Sequence, residues 1–376
     1  MKPTLLVITV DVQEEDRTSS TSLSMVTGSR GNLEIRRGAT TRPRNDNFSQ
    51  GIPSFKNSLR LSHLQGILSN WHVPATYLVS DAVSRNEHTA AMLKSFAQNE
   101  RCEIGALLLP ENTPPYSLTS ADDSEEMRQI RRMCCNLPVA LLRRKIQTLT
   151  RSIKQKLEIQ PTSFRAGHWS FSSELASCLL DCGYLVDSSI TPGIAHRSTF
   201  GPDYSVMPYF DFSRDICELV PVKSIGHSSA HRLAELPPTI FSCEPDARVK
   251  AHSAILRNVI LNCFKGKKSI QQPKHGTWLS PSTSSLKEMK QVVDSLIEQQ
   301  VSVLTLHLSS NACTKENFPG YLGRTTAIVH YMLQRSCQPT TISQAAHILS
   351  EERNAPATSY SDIGRRLSGN SLLSLL

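Results

Sequence analysis

The side chains best suited to chemistry each lie near or just after the end of a short apolar run of the sequence. They are Asp11, Arg165, His168, Trp169, Asp187 and His307. A carboxylate and an imidazole can exchange protons with a bound molecule or with water, and a guanidinium can orient a carboxylate through paired hydrogen bonds. Together with a tryptophan, these residue types predict a polar pocket, provided that the fold brings the ends of their apolar runs together.

Each of these residues also has a purely structural interpretation. An aspartate after an apolar strand is often a helix cap or a turn former. Arg165 could form a buried ion pair with Asp187, and Trp169 could simply pack at the rim of the fold. A histidine within an apolar strand, such as His307, is more often a hydrogen-bonded core residue than a ligand-binding one. The arrangement of the strands therefore decides whether these residues form a site.

The elements that must position these side chains alternate between strand-like and helix-like patterns. Apolar runs predict strands near 4–10, 75–79, 103–109, 163–166, 184–186, 219–222, 277–279 and 301–308. A helix is predicted by the apolar stripe of Leu142, Ile146, Leu149, Ile153 and Leu157. Ser285 and Glu288 have the capping-box spacing that opens another helix. This alternation predicts an α/β fold with a parallel sheet, either a barrel or a doubly wound sheet, whose chemistry collects at the carboxyl ends of the strands.

The composition bears on several classes of protein. The 376 residues are 39% hydrophobic with a net charge of +8, which permits a folded core and gives no case for nucleic-acid binding. No stretch reaches the roughly 18–20 apolar residues of a membrane span, and no cleavage-site pattern follows the first apolar run, so we expect a cytoplasmic chain. The ten cysteines form no C-x-x-C pair, which argues against zinc-ribbon and thioredoxin-like motifs and predicts reduced thiols.

The domain organisation is predicted from the polar stretches that interrupt the alternation. Residues 1–350 are expected to form a single barrel domain. Residues 15–54 are rich in Ser, Thr, Arg and Asn without periodicity, so we interpret them as an insertion or a disordered loop. Residues 351–376 are predicted to be a polar C-terminal tail.

Six stretches occur in an order that is typical of one enzyme family. They are 8–12, 75–83, 102–106 with 112–115, 161–169, 183–192 and 278–311. In this order they resemble the polysaccharide deacetylase superfamily of metal-dependent carbohydrate esterases, and most of all the bacterial members associated with cell-surface polysaccharide gene clusters. The resemblance covers about residues 60–350 and the first strand, and it implies a distorted (β/α)7–8 barrel.

The resemblance also implies a mechanism. In this family a divalent metal, often zinc, is held by a carboxylate near the end of the first strand and by two histidines after the third strand, and it activates a water molecule against an acetamide. Asp11 matches the general base of the family, and Arg165 matches the arginine that orients this base. Asp187 matches the pocket motif after the fifth strand.

The sequence departs from the family pattern at the expected metal ligands. These positions are occupied by Gln13, Leu107 and Leu109, and the histidine of the last motif aligns with Ser309. Because side chains alternate along a strand, both leucines would face the site together. A leucine has no lone pair to offer, so we expect no metal cofactor. Zinc would bind only at a site rebuilt with residues such as His168 and His307.

Three hypotheses follow. The first is a degenerate deacetylase homologue of carbohydrate metabolism or cell-surface polysaccharide biosynthesis, which keeps a sugar pocket lined by His168, Trp169, Asp187 and His307 but has lost hydrolysis. The second is an active metal-dependent carbohydrate N-deacetylase with an altered site. The third is a cytoplasmic interaction protein that uses the arginines of the 15–54 insertion. A carbohydrate is the expected ligand under the first two hypotheses.

Overall fold

The structure is a computed structural model in which part of the chain is described. The described residues are 3–14, 25–27, 33–35, 55–99, 101–116, 130–192, 195–196, 207–208, 217–220, 232–241, 276–313, 320–352 and 357–359. Most of the predicted 15–54 insertion and of the predicted 351–376 tail lies outside these residues. The domain boundaries proposed from the sequence therefore stay a prediction.

The strands are mostly short and are spread along the whole chain. In chain order they are β1 Leu5–Val12, β2 Met25–Thr27, β3 Leu33–Ile35, β4 Thr76–Val79, β5 Glu103–Leu108, β6 Ser163–Ala166, β7 Val186–Asp187, β8 Ala195–His196, β9 Met207–Pro208, β10 Cys217–Val220, β11 Leu233–Glu235, β12 Ile240–Phe241, β13 Thr277–Trp278, β14 Val303–Ser309, β15 Gln338–Thr340 and β16 Ala357–Ser359. The predicted runs at 4–10, 103–109, 163–166 and 301–308 each form a strand of the main sheet, which confirms these predictions.

Helices fill most of the intervals between the strands of the main sheet. They are α1 Lys56–Leu59, α2 Leu61–Ser69, α3 Asp81–Arg85, α4 Glu87–Asn99, α5 Val139–Leu157, α6 Ser173–Asp181, α7 Leu286–Glu298, α8 Tyr321–Gln334 and α9 Ile342–Glu352. The apolar stripe that predicted a helix lies on α5, and its five residues are fully buried. The capping box at Ser285 opens α7 as predicted, with both of its reciprocal hydrogen bonds present. None of the described helices combines the length and apolar character that crossing a bilayer requires.

The main sheet contains seven parallel strands in the order β14-β1-β4-β5-β6-β7-β11, and it curls into an open barrel. Strands β10 and β16 extend this sheet beyond β11, and β10 runs antiparallel to β11. The predicted run at 277–279 forms β13, which pairs with β12 outside the main sheet. This arrangement confirms the predicted α/β fold and its distorted barrel.

The two faces of the sheet have separate apolar cores. On β1, even-numbered residues such as Leu6 and Ile8 pack in the large cluster shared with the helices. Leu5 and Val7 belong to a second cluster, which contains Leu107 of β5. Since side chains alternate along a strand, this second cluster lies on the concave face of the barrel. The odd-numbered residues of β1 therefore point towards the barrel interior.

The amino ends of the strands are closed by the C-terminal part of the described chain. Strand β15 pairs with β1, and residues of α9 join the interior apolar cluster. Glu103 at the start of β5 accepts hydrogen bonds from the backbone N–H of Ser343 at 2.9 Å and from its hydroxyl at 2.6 Å. This contact fixes the first turn of α9 against the sheet, so that the carboxyl ends of the strands form the mouth of the barrel.

Candidate functional site

Three of the predicted residues meet at the carboxyl ends of the strands. Asp11 is the penultimate residue of β1, Arg165 lies on β6 and His307 lies on the neighbouring strand β14. Arg165 Nη1 donates to Asp11 Oδ1 at 2.7 Å, and His307 Nε2 lies 3.1 Å from Asp11 Oδ2. The Asp11 and His307 side chains are only 16% and 14% exposed. Asp11 therefore has one strong partner on each carboxylate oxygen.

Arg165 is fixed by hydrogen bonds on every side of its guanidinium. Nε donates to the carbonyl of Ser188 at 2.8 Å, and Nη2 donates to the Ser188 hydroxyl at 2.7 Å. Nη1 also reaches the hydroxyl of Thr9 at 3.2 Å. The alternative ion pair with Asp187 is not the one formed, because the guanidinium directs Nη1 at Asp11. Arg165 is fully buried, and its rigid fork leaves Asp11 little freedom to rotate.

The charge of Asp11 follows from these contacts. Burial alone would raise the pKa of Asp11, but the charge of Arg165 and the contact with His307 outweigh burial and lower this pKa to about 2. Asp11 is thus ionised at neutral pH. When neutral His307 donates from Nε2, its Nδ1 becomes the acceptor of the ring. The arrangement can therefore accept hydrogen bonds from hydroxyl or amide groups of a ligand.

An aromatic wall adjoins this pair. The ring of Trp169 lies 5.2 Å from His307 and 5.3 Å from Trp278, measured between ring centroids. The guanidinium carbon of Arg165 lies 4.8 Å from the centroid of the Trp169 ring, within the range of a cation–π contact. Trp169 and Trp278 are both partly exposed. We call these two residues the tryptophan wall.

The position of Trp169 depends on an unusual turn after β6. His168 and Trp169 have φ values of 55° and 56°, in the left-handed region that costs about 1–2 kcal/mol per residue. A Cβ added to Gly167 would lie 2.7 Å from the Leu108 carbonyl oxygen and 2.8 Å from Leu109 Cδ2. Only glycine allows this close approach, so the packing of Leu109 helps to aim the tryptophan.

His168 points to a different partner. Its Nε2 lies 2.9 Å from Glu111 Oε1, and Arg132 Nε lies 3.7 Å from the same oxygen. Burial would raise the pKa of Glu111, but the hydrogen bond and charge of His168 lower it below its ordinary value. No contact joins His168 to Asp11 or His307 in the described part of the chain. The expectation that His168 lines the same pocket has no contact to support it.

Asp187 is near the site but is completely buried. Its carboxylate accepts hydrogen bonds from the Ser189 hydroxyl at 2.7 Å and from the Ser189 N–H at 3.2 Å. Glu235, its partner in register on β11, is buried beside it. A side chain without exposed surface cannot contact a ligand in this conformation. Asp187 therefore does not line the site, and among the described residues it contacts the site only through the segment that contains Ser188 and Ser189.

The residues at the expected metal positions do not fit a metal ion. Leu107 and Leu109 both belong to the interior apolar cluster, on the same strand face as their spacing predicts. Gln13 is tied through its backbone, which accepts from Ser58 and donates to Ser310. Among the described residues, no group of three or more His, Cys, Asp or Glu side chains is placed to hold a metal ion.

The structure also adds residues to the site that sequence reasoning missed. Trp278 ends the short strand β13, and the sequence marks it only as a strand residue. Ser188 follows the neighbouring strand β7 and Thr9 lies on β1, and they hold Arg165 through contacts between residues far apart in the sequence, for which the sequence has no pattern. The rule that sites lie at the carboxyl ends of barrel strands does not identify Trp278, because β13 pairs antiparallel with β12 outside the main sheet.

Comparisons with known proteins concern the fold. No protein-family model matches the chain, and neither does any curated protein sequence. A provisionally assigned polysaccharide deacetylase from Mycobacterium smegmatis superposes with a TM-score of 0.50 at 15% identity, covering 95% of this chain and 94% of that protein. A provisionally assigned glycoside hydrolase/deacetylase from Parabacteroides distasonis gives 0.54 at 8% identity, covering 94% and 72%. A CE4 family pseudoenzyme from Bacillus anthracis gives 0.41 at 10% identity, covering 92% and 66%. The chain has the fold of the polysaccharide deacetylases, as the order of its sequence motifs predicts.

Proposed function

We propose that this chain is a carbohydrate-binding homologue of the polysaccharide deacetylases that has lost their metal-dependent hydrolysis. The observation that carries the proposal is the tryptophan wall beside the ionised Asp11, in a mouth where leucines occupy the expected ligand positions. The proposal places the protein in carbohydrate metabolism or cell-surface polysaccharide biosynthesis, the setting of the proteins that its sequence resembles.

The chemistry of the mouth suits a sugar ring. A pyranose has a face of C–H groups that packs on an indole, and an edge of hydroxyl groups that donates to carboxylate and imidazole acceptors. Trp278 and Trp169 supply the apolar face, and Asp11 and His307 supply the polar edge. Arg165 covers one side of Trp169 at 4.8 Å, so Trp278 is the better candidate for direct stacking.

The same mouth is poorly suited to hydrolysis of an acetamide by the family mechanism. That mechanism needs a cation to polarise the carbonyl and to lower the pKa of the attacking water. The side chains of Leu107 and Leu109 provide no donor, and they make the adjoining interior apolar. Removal of a residue that only hydrogen-bonds to a zinc ligand typically lowers metal affinity or activity by about 10–100-fold. Replacement of two of the ligands themselves should lower metal affinity further.

Tryptophan fluorescence gives a direct test of binding. The chain has three tryptophans, of which two form the wall and the third, Trp71, stacks on His330 elsewhere. Titration with N-acetylated oligosaccharides should change the emission of the wild-type protein. Trp278→Phe should weaken this binding at least tenfold, and Trp71→Phe should leave the dissociation constant unchanged. Equal affinity of Trp278→Phe and wild type would contradict the assignment of the pocket.

Acetate release separates this proposal from an active deacetylase. The purified protein is incubated with N-acetylated oligosaccharides in the presence of added zinc or of a chelator. We expect no acetate above the background of Asp11→Asn under either condition. Turnover that the chelator abolishes, together with stoichiometric bound zinc, would establish the active enzyme instead.

A further inference from the structure

Two carboxyl groups lie side by side in the interior of the barrel, next to the site. Asp187 on β7 and Glu235 on β11 are directly paired on neighbouring parallel strands, and they are 0% and 1% exposed. Directly opposed like charges destabilise a sheet even at a wet surface, and the interior screens them less. This placement favours a state in which one of the two groups keeps its proton.

The hydrogen bonds indicate which group carries the proton. Both oxygens of Asp187 accept from Ser189, through its hydroxyl and its backbone N–H. Glu235 Oε1 accepts from the N–H of Ile190 at 3.0 Å, and within the described residues no donor reaches the buried Oε2 atom. Asp187 is thus arranged as the carboxylate, and Glu235 Oε2 is the atom that can donate a proton to it.

The electrostatic surroundings agree with this assignment. Burial and the negative charge of Asp187 raise the pKa of Glu235 well above its ordinary value. Burial also raises the pKa of Asp187, against the opposing effect of hydrogen bonds from Glu235 and Ser189. Arg165 is the cation that acts on both groups, and its own ion pair is with Asp11. The Cys134 thiol also faces Asp187 and is neutral, because burial raises its pKa.

The pair is connected to the site through the segment 187–190. Ser188 accepts two hydrogen bonds from Arg165, and the Ser189 hydroxyl accepts from the Ala166 N–H at 2.8 Å. The N–H of Ile190 is held by Glu235. The segment therefore lies between Glu235 on one side and Arg165 on the other. A shift of the carboxyl pair would move the groups that hold Arg165 against Asp11.

We propose that Glu235 is a positioning residue of the site, and that a proton shared between Glu235 and Asp187 fixes the segment 187–190 and hence the orientation of Arg165 and Asp11. The ligand-binding part of this inference rests on the proposed function. The shared proton itself does not, since it is a property of the barrel interior in the absence of any ligand.

Infrared spectroscopy of the free protein tests the shared proton. At pH 7 the wild-type spectrum should contain the C=O band of a protonated carboxyl group, and Glu235→Gln should remove it. Glu174→Gln, which changes an exposed glutamate on α6, should leave the band in place. Absence of any difference between Glu235→Gln and wild type would overturn the proposal.

The pH dependence of unfolding gives a second test of the proton on Glu235. A group whose pKa is raised in the folded state takes up a proton on folding, so its stabilising effect declines as the pH rises from about 4.5 through the folded-state pKa. Folding of the wild type should therefore take up about one more proton than folding of Glu235→Gln in this range. An equal proton uptake by both proteins would contradict the assignment.

Ligand binding tests the positioning role. A glutamine can donate to Asp187 and accept from Ile190, so Glu235→Gln should bind the oligosaccharide within about twofold of wild type at pH 7. As the pH rises through the folded-state pKa of Glu235, wild-type binding should weaken because the proton is lost, whereas Glu235→Gln binding should not. Parallel pH profiles would refute the positioning role. If the wild type binds no saccharide, the proposed function fails. The infrared spectrum and the proton uptake on folding then still test whether Glu235 and Asp187 share a proton.

Discussion

Replacement of Arg165 by methionine should destabilise the protein more than replacement of Asp11 by asparagine. Methionine removes the cation that compensates two buried negative charges. One is the Asp11 carboxylate, and the other is the charge shared by Asp187 and Glu235. Breaking a buried ion pair in this way typically costs about 3–5 kcal/mol. Asparagine at position 11 leaves Arg165 with its bonds to Ser188 and Thr9 and with the nearby negative charge of the carboxyl pair.

The destabilisation expected for Asp11→Asn can be estimated from the pKa shift of Asp11. Its pKa falls from 3.8 to about 2 on folding, which corresponds to about 2 kcal/mol at about 1.4 kcal/mol per pH unit. The folded-state pKa is depressed, so this stabilisation is present above pH 3.8 and is lost as the pH falls through about 2. Asp11→Asn should therefore cost about 2 kcal/mol at pH 7 and much less near pH 2.

Urea denaturation at pH 7, followed by circular dichroism and tryptophan fluorescence, measures both variants and the double variant. The double variant should cost less than the sum of the two single variants, because the two groups act on each other. If Arg165→Met is at least as stable as Asp11→Asn, the claim that Arg165 compensates buried negative charge is refuted. Strict additivity would refute their direct interaction.

Other contacts lead to three further predictions. Gly167→Ala should lower the thermal midpoint by forcing a methyl group against Leu108, at a cost of about 1–3 kcal/mol, whereas Gly66→Ala in α2, where nothing lies within 4 Å, should raise it slightly. Ser285→Ala should cost about 1 kcal/mol in urea denaturation through loss of the capping box, and an unchanged midpoint would contradict this role. Lys145→Met removes the buried ammonium that donates to the carbonyls of Pro110 and Thr113, so hydrogen exchange should quicken in the segment 110–116 and stay unchanged in α7.

The sequence predicts the fold well where strands are buried on both faces. Long apolar runs such as the one in β1 are typical of parallel strands, and they identified the main sheet. The convergence of Asp11, Arg165 and His307 was predictable for the same reason. Each lies near the carboxyl end of a predicted strand or just after it, and the carboxyl ends of parallel strands meet at one mouth.

The rest depends on contacts that the sequence does not encode locally. His168 and Trp169 are adjacent, yet one faces Glu111 and the other faces His307, because the turn after Gly167 is left-handed and packs on Leu109. Glu235 ends a strand of three residues, too short for a periodic pattern, and a glutamate there would ordinarily be expected at the surface. Its role is visible only once β7 and β11 are paired.

The pairing of the first strand has a consequence for how the chain acquires its structure. Strand β1 is bound along its length by β14, whose paired residues follow 298 positions later, as in the pair Leu5 and Val303. At a synthesis rate of about 5–20 residues per second, this strand waits roughly 15–60 s for that neighbour to leave the ribosome. Such distant pairing is typical of slow-folding topologies. A circular permutant that joins residue 376 to residue 1 and opens the chain between β1 and β4 would bring β1 closer in sequence to β14, and it should refold faster than the natural chain.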